Sequence, residues 1–153
     1  MIPIKVLVPS GVLGLGFDLE ALNNGVKNNP DIISIDGGST DSGPYSLGSG
    51  TSKYSRAAIK AEWKSLMIAR KKANVPLVIG SCGTCGTNGM VDWMENITIE
   101  LAEELNQNIK IAKLYCQQEK NFIKKNFQLR RIFPLTPAPM PVSYTHLRAH
   151  ETL

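Results

Sequence analysis

Three apolar runs in this chain each stop in a glycine-rich loop, and a helical pattern follows each loop. Val6-Leu7-Val8 leads into Pro9-Ser10-Gly11-Val12-Leu13-Gly14-Leu15-Gly16. Ile32-Ile33-Ser34-Ile35 leads into Asp36-Gly37-Gly38-Ser39-Thr40-Asp41-Ser42-Gly43-Pro44-Tyr45. Pro76-Leu77-Val78-Ile79 leads into Gly80-Ser81-Cys82-Gly83-Thr84-Cys85-Gly86-Thr87-Asn88-Gly89. Short, nearly continuous apolar strands are those of a parallel sheet covered on both faces. Alternation with helices requires right-handed crossovers. The expected fold class is therefore α/β, a parallel Rossmann-like βαβ sheet. Ligands of such sheets bind outside the carboxyl ends of the strands, so the three loops should share one rim.

The finer pattern gives four strands and four helices. Strands are expected at residues 5–9, 31–36, 77–81 and 110–115, and a long Gly/Ser loop over 37–51. A helix over 17–28 would bury Phe17, Leu19, Leu22 and Val26 and stop at Asn29-Pro30. The clearest helix, 55–73, aligns Ile59, Trp63, Leu66, Met67 and Arg70 on one face, with Lys60, Lys64 and Lys71 elsewhere. A helix over 89–106 carries an apolar stripe of Val91, Met94, Ile97, Leu101 and Leu105, with Asp92 and Glu95 near its positive end. A short helix over 119–127 would turn Phe122, Ile123 and Phe127 inward.

With 153 residues, 42% hydrophobic and 20% charged, the chain is long and apolar enough for one soluble globular domain. No apolar run approaches the roughly 18 residues of a membrane span, and no secretory leader is visible, so a cytoplasmic location is the default. Seven of the seventeen basic residues lie between Lys110 and Arg131. They read as a solvated helix face or as a surface for an anionic partner. No aromatic-interleaved basic motif points to nucleic acid. Three cysteines argue against a disulfide framework.

Both histidines, His146 and His150, stand in the last eight residues, after the break Pro134-Leu135-Thr136-Pro137-Ala138-Pro139-Met140-Pro141. Residues 141–153 resemble translated sequencing-adapter read-through. Residues 1–140 are then expected to be an incomplete N-terminal α/β domain, truncated before its natural end. Without the two histidines the domain can supply neither a Ser-His-Asp triad nor a histidine zinc site. Acid–base work falls to Asp, Glu, Tyr, Lys or Cys.

The first loop, with Gly11, Gly14 and Gly16, is G-x-x-G-x-G rather than the dinucleotide fingerprint. A nicotinamide cofactor is not expected, although Asp36 falls where a ribose-binding acid would stand. A tight turn that accepts an anion is the better reading. Asp36 and Asp41 can share a proton, hold a hard cation such as Mg²⁺, or cap loop amides. Ser39 and Thr40 can bond a carboxylate or phosphate, or bond locally. Tyr45 follows a rigid Gly43-Pro44 turn that would aim its phenol at a substrate, or else it packs on the surface. Cys82-Gly83-Thr84-Cys85 has redox-motif spacing, but so many glycines suit an anion-cradling loop of small residues better. It is half a zinc site with no second half in view.

The stretch from Ile35 to Gly48, built on Asp36-Gly37-Gly38-Ser39-Thr40-Asp41-Ser42-Gly43-Pro44-Tyr45, resembles the signature of the acyclic terpene utilisation (AtuA-type) family. The stretch Pro76–Gly86 is similar to that family's second motif, except that Cys82 and Cys85 stand where other small residues are usual. Val8-Pro9-Ser10-Gly11 and the helix carrying Lys60 and Glu62 fit in order, and the likeness covers about residues 4–135. Members are longer, cytoplasmic bacterial proteins associated with breakdown of acyclic terpenes through coenzyme A thioesters. The resemblance implies an enzyme acting on a small carboxylic acid or acyl-CoA thioester, by addition or removal of water. Asp36, Asp41 and Tyr45 would be catalytic. Ser10, Gly11, Ser39, Thr40, Gly80, Ser81 and Gly83 would bind substrate. Asp36 and Asp41 would be the ligands of any divalent cation. The alternative is a non-catalytic subunit that binds an acyl-CoA or a partner. The fragment alone is expected to be inactive without its C-terminal region, and an oligomer is compatible with it.

Overall fold

The computed structural model describes residues 3–38 and 45–133. In chain order they form β1 (Val6–Leu7), α1 (Leu19–Lys27), β2 (Ile32–Asp36), α2 (Tyr45–Ser49), α3 (Arg56–Ala73), β3 (Leu77–Gly80), α4 (Asn88–Glu104) and α5 (Lys120–Gln128). Residues 134–153, with the expected tail, and Ser39, Thr40 and Asp41 lie outside the described residues.

The three strands are parallel and lie in the order β1-β2-β3. Val6 faces Ile32, Ile33 faces Leu77 and Asp36 faces Gly80. Strand order equals chain order, so both crossovers step the same way. Right-handed connections then put both connecting helices on one face of the sheet. That face carries Leu7, Ile33, Ile35, Leu77 and Ile79, which join one core with Leu22 and Val26 of α1, Ile59, Trp63, Leu66 and Met67 of α3, and Met94, Ile97 and Leu101 of α4. Among the described residues the opposite face has no covering element, with Val6 54%, Val8 58% and Val78 45% exposed. The expectation of strands covered on both faces is therefore corrected, because an apolar run cannot reveal whether its second face has a cover.

Helix ends follow local chemistry. Asp18 caps α1, its carboxylate accepting from the amides of Glu20 (2.7 Å) and Ala21 (3.0 Å). The helix therefore starts two residues later than its apolar pattern suggested, and Leu19, expected inside, stands exposed. Ser55 caps α3 and Thr87 caps α4. Asn74, in the left-handed region at φ 57°, ends α3. Residues 37–51 are not loop throughout, since α2 inserts there with Ser46 and Leu47 buried. In α5 Ile123 is buried as expected, but Phe122 is exposed.

Helices α3 and α4 are joined by both buried and charged contacts. The Trp63 indole N–H donates to Thr98 Oγ1 at 2.9 Å, satisfying a ring that is otherwise buried. On the rim of the contact, Lys60 bonds Glu100 and Glu104, Arg56 bonds Glu100 (2.6 Å) and Lys64 bonds Glu104 (3.0 Å).

The expected strand over 110–115 does not form. Leu114 is 79% exposed, and the segment is held by α4 instead of by β3. Lys113 Nζ bonds Glu95 (2.6 Å) and Asp92 (3.1 Å), and the Tyr115 hydroxyl donates to Asp92. Further on, the Asn88 amide donates to Gln117 Oε1 at 3.1 Å. The Tyr115 hydroxyl and then Lys113 hold the Asp92 carboxyl below its usual range. Side-chain tethers to α4 take the place of ladder bonds, and apolar alternation carries no information about that choice.

Two outcomes test this fold. Leu66 is fully buried, so Leu66→Ala should cost about 2–5 kcal/mol in urea unfolding. Hydrogen bonds, foremost from Lys60, hold Glu100 and Glu104 below the ordinary value of 4.5. Their contribution is present above that value and is lost as pH falls through the lowered one. The urea midpoint should therefore drop as pH falls below 4.5, and Lys60→Met should flatten that drop.

Candidate functional site

The turns that leave the carboxyl ends of the three strands are bonded to one another. The Leu13 amide donates to Asp36 O at 2.8 Å, linking the first turn to the second. The Gly37 amide donates to Gly80 O at 2.7 Å, and the Thr84 amide to Gly37 O at 3.2 Å, linking the second turn to the third. These bonds continue the sheet's pairing past its last residues. They also explain Gly37-Gly38. A Cβ on Gly38 would stand 2.2 Å from Thr84 Cα, and one on Gly37 would stand 2.6 Å from Gly80 O. The two glycines are required by the close approach of one turn to another.

Asp36 is half-buried in this junction, and its Oδ1 accepts from the Gly38 amide at 3.0 Å. The turn-capping role foreseen for it is therefore present, and it engages one of the two carboxylate oxygens. Gly80 is the register partner of Asp36, and Ser81 and Gly83 belong to the turn that touches Gly37. Ser10 bonds locally, its hydroxyl lying within hydrogen-bond distance of the amide and carbonyl of Val12. Gly11 faces open space. Tyr45 heads α2 and is 79% exposed. Of the expected site, Asp36, Gly80, Ser81 and Gly83 come together, with Ser10 and Gly11 in the adjoining first turn.

The first turn is held by a residue of α3 whose role the sequence did not disclose. Gly14 (φ 106°) and Gly16 (φ 86°) turn their amides toward α3, and each donates to the Glu62 carboxylate at 2.7 Å. This glycine loop does accept an anion, and the anion is the chain's own side chain. A carboxylate gripped by two amides is a strong, charge-assisted arrangement. Glu62 lies 46 and 48 positions away from its two donors. Its sequence signals, an acid on an amphipathic helix and a place in the resemblance, said nothing of these two amides.

The third turn is wound tightly, with Ser81, Gly83, Thr84 and Gly86 all at φ between 49° and 71°. Thr84 is buried, and its hydroxyl accepts from the Lys53 amide at 3.1 Å. Cys85 is buried beside Thr87, Cys82 is half-buried and Cys116 is exposed; all three are free thiols. Burial pushes the Cys82 thiol above its ordinary value, which disfavours the thiolate that redox or nucleophilic chemistry needs. The geometry speaks for Cys82 and Cys85 as small packing residues. Among the described residues no three His, Cys, Asp or Glu side chains are grouped to hold a metal ion.

A cavity of about 500 Å³ lies along the outer edge of β3, beside the junction. Trp63, Met67 and Arg70 of α3, Met94 of α4, Ile79 and residues 109–114 contribute to its walls, and Cys82 reaches it from the third turn.

No protein-family model, curated protein or solved structure matches this chain.

Glu62→Ala should destabilise the fold by about 1–3 kcal/mol, since it leaves two amides without their acceptor. It should also speed hydrogen exchange at Gly14 and Gly16, read by NMR. Gly38→Ala should shift the Thr84 and Lys53 amide resonances, because the new methyl forces the second and third turns apart.

Proposed function

We propose that this chain is the N-terminal, Rossmann-like part of a cytoplasmic catabolic protein of the acyclic terpene utilisation type. It acts on a small carboxylic acid or its acyl-CoA thioester by adding or removing water. The carrying observation is the hydrogen-bonded junction of three loops at the carboxyl ends of parallel strands, with the half-buried carboxylate of Asp36 inside it. A strand order of β1-β2-β3 with helices on one face also suits one half of a doubly wound sheet, whose ligands lie at that end.

In this reading Asp36 is the acid–base group. For hydration it takes a proton from water as the oxygen adds to the β-carbon of an α,β-unsaturated thioester, and a proton is returned to the α-carbon. Asp41 would be the second carboxylate, and the pair would hold a divalent cation such as Mg²⁺ if one is used. The amides of Thr84, Cys85 and Gly86 are spent on Gly37, Ser81, Gly83 and Cys82 carbonyls. The substrate's developing oxyanion is therefore assigned to Ser81 and Gly83, with the hydroxyls of Ser39 and Thr40, while Gly80, paired with Asp36 in the ladder, positions them. Ser10 and Gly11 border the same end. Tyr45 would be a donor to the substrate from its exposed place at the head of α2.

The bond from the Gly38 amide to Asp36 favours one second reading, a subunit that binds an acyl-CoA without turning it over. One experiment separates the two. The intact protein that carries this N-terminal part is incubated with crotonyl-CoA while loss of the enoyl absorbance is followed, and its melting temperature is measured with and without butyryl-CoA. Turnover that Asp36→Asn removes, with the melting temperature unchanged, is the expected result. Turnover retained in Asp36→Asn removes Asp36 from the mechanism. A rise in melting temperature with butyryl-CoA but no turnover supports the binding subunit.

A further inference from the structure

The cavity beside β3 has the size of a small-molecule site and walls that are mostly apolar. Its basic residues differ in how their charges are answered. Lys113 is bonded to Glu95 and Asp92, and that pairing also answers the Glu95 carboxylate on the cavity wall. Lys110 is exposed. Arg70 is different. Its Nε is buried with no hydrogen-bond partner, and among the described residues no carboxylate stands within ion-pair distance of its guanidinium. Earlier on the same helix, Arg56, Lys60 and Lys64 all have glutamate partners on α4. A buried guanidinium N–H without an acceptor is costly to keep. A carboxylate in the cavity matches the guanidinium fork with two parallel bonds and answers its charge.

Position gives the site a direction. Helix α3 runs antiparallel to β3, and the Val75 amide is bonded to Arg70 O at 3.2 Å, so Arg70 sits level with the start of the strand. Met67 and then Trp63 follow along the helix toward the other end, where Cys82 closes the wall. The cation is at one end and the apolar surface runs away from it.

We propose that this cavity binds an amphipathic monocarboxylate, with its carboxylate on Arg70 and its hydrocarbon body along Met67, Trp63 and Met94 toward Cys82. The inference stands on the cavity and on Arg70, and does not rest on the reading of the loop junction.

Isothermal titration of the full chain with octanoate, and with 1-octanol as the uncharged control, tests it. Octanoate should bind about tenfold or more tightly than octanol. Arg70→Met, which keeps an apolar stem, should remove that preference while leaving octanol binding unchanged. Equal affinities for the two ligands, no octanoate binding, or an unaltered preference in Arg70→Met each overturn the proposal. If circular dichroism shows that Arg70→Met does not fold, the wild-type comparison and Arg70→Lys, which should retain a weakened preference, decide. Octanoate should shift the methyl resonances of Met67, Met94 and Ile79. Shifts confined to residues around Gly11 and Gly38 would place the ligand in the junction and overturn the assignment. Asp36→Asn should leave octanoate binding intact, so failure here and failure of the junction reading are told apart.

Discussion

The bond from the Gly37 amide to Gly80 O is the constraint on which the rest of this structure depends. It carries the pairing of β2 and β3 one residue beyond β2, at the point where the chain would otherwise be free to diverge into separate loops. The bonds between Leu13 and Asp36 and between Thr84 and Gly37 extend the same continuity across the three turns. Backbone groups at a strand end must find partners, and here they find them in the neighbouring turn rather than in water. The consequence is a junction whose spacing is set by main-chain geometry. That is also why Gly37 and Gly38 leave no room for a side chain.

Helix α3 organises what surrounds this junction by using its side chains in four different ways. Ile59, Trp63, Leu66 and Met67 fill the core. Glu62 reaches back to hold the Gly14 and Gly16 amides, fixing the first turn. Lys60 and Lys64 engage α4. Arg70 faces the cavity. These charges are not equivalent energetically. The pairs with α4 are solvent-exposed and contribute little each. Among the described residues Glu62 is the acceptor for two amides that have turned away from any helix or ladder, and Arg70 has an N–H without an acceptor at a buried position. The same residue types in the same helix are thus a surface ornament, a structural clamp and a candidate ligand contact, according to what lies opposite.

The sheet is one-sided among the described residues. Sequential strand order and a fixed crossover hand send α1 and α3 to one face, and Val6, Val8 and Val78 are left on the other. The edge of β3 is likewise flanked by residues 109–114 without a ladder, because Lys113 and Tyr115 are drawn to the acidic first turns of α4. The cavity exists because of that substitution of side-chain tethers for strand pairing.

Much of this was legible in the residues themselves. The periodicity of Ile59, Trp63, Leu66 and Met67, the stops at Asn29-Pro30 and Asn74, and the three glycine loops at strand ends all act within a few positions, and local sterics and hydrogen bonding impose them whatever the tertiary context. The convergence of Asp36, Gly80 and Ser81 followed from one general rule about crossover hand. What the sequence could not carry is the identity of distant partners. Whether Gly14 and Gly16 hold a ligand or Glu62, whether residues 110–115 pair with β3 or with α4, whether Val6 is covered, and whether Tyr45 is exposed are decided by what lies opposite in space. A backbone amide or an apolar side chain accepts many partners at similar cost, so only the packed structure chooses among them.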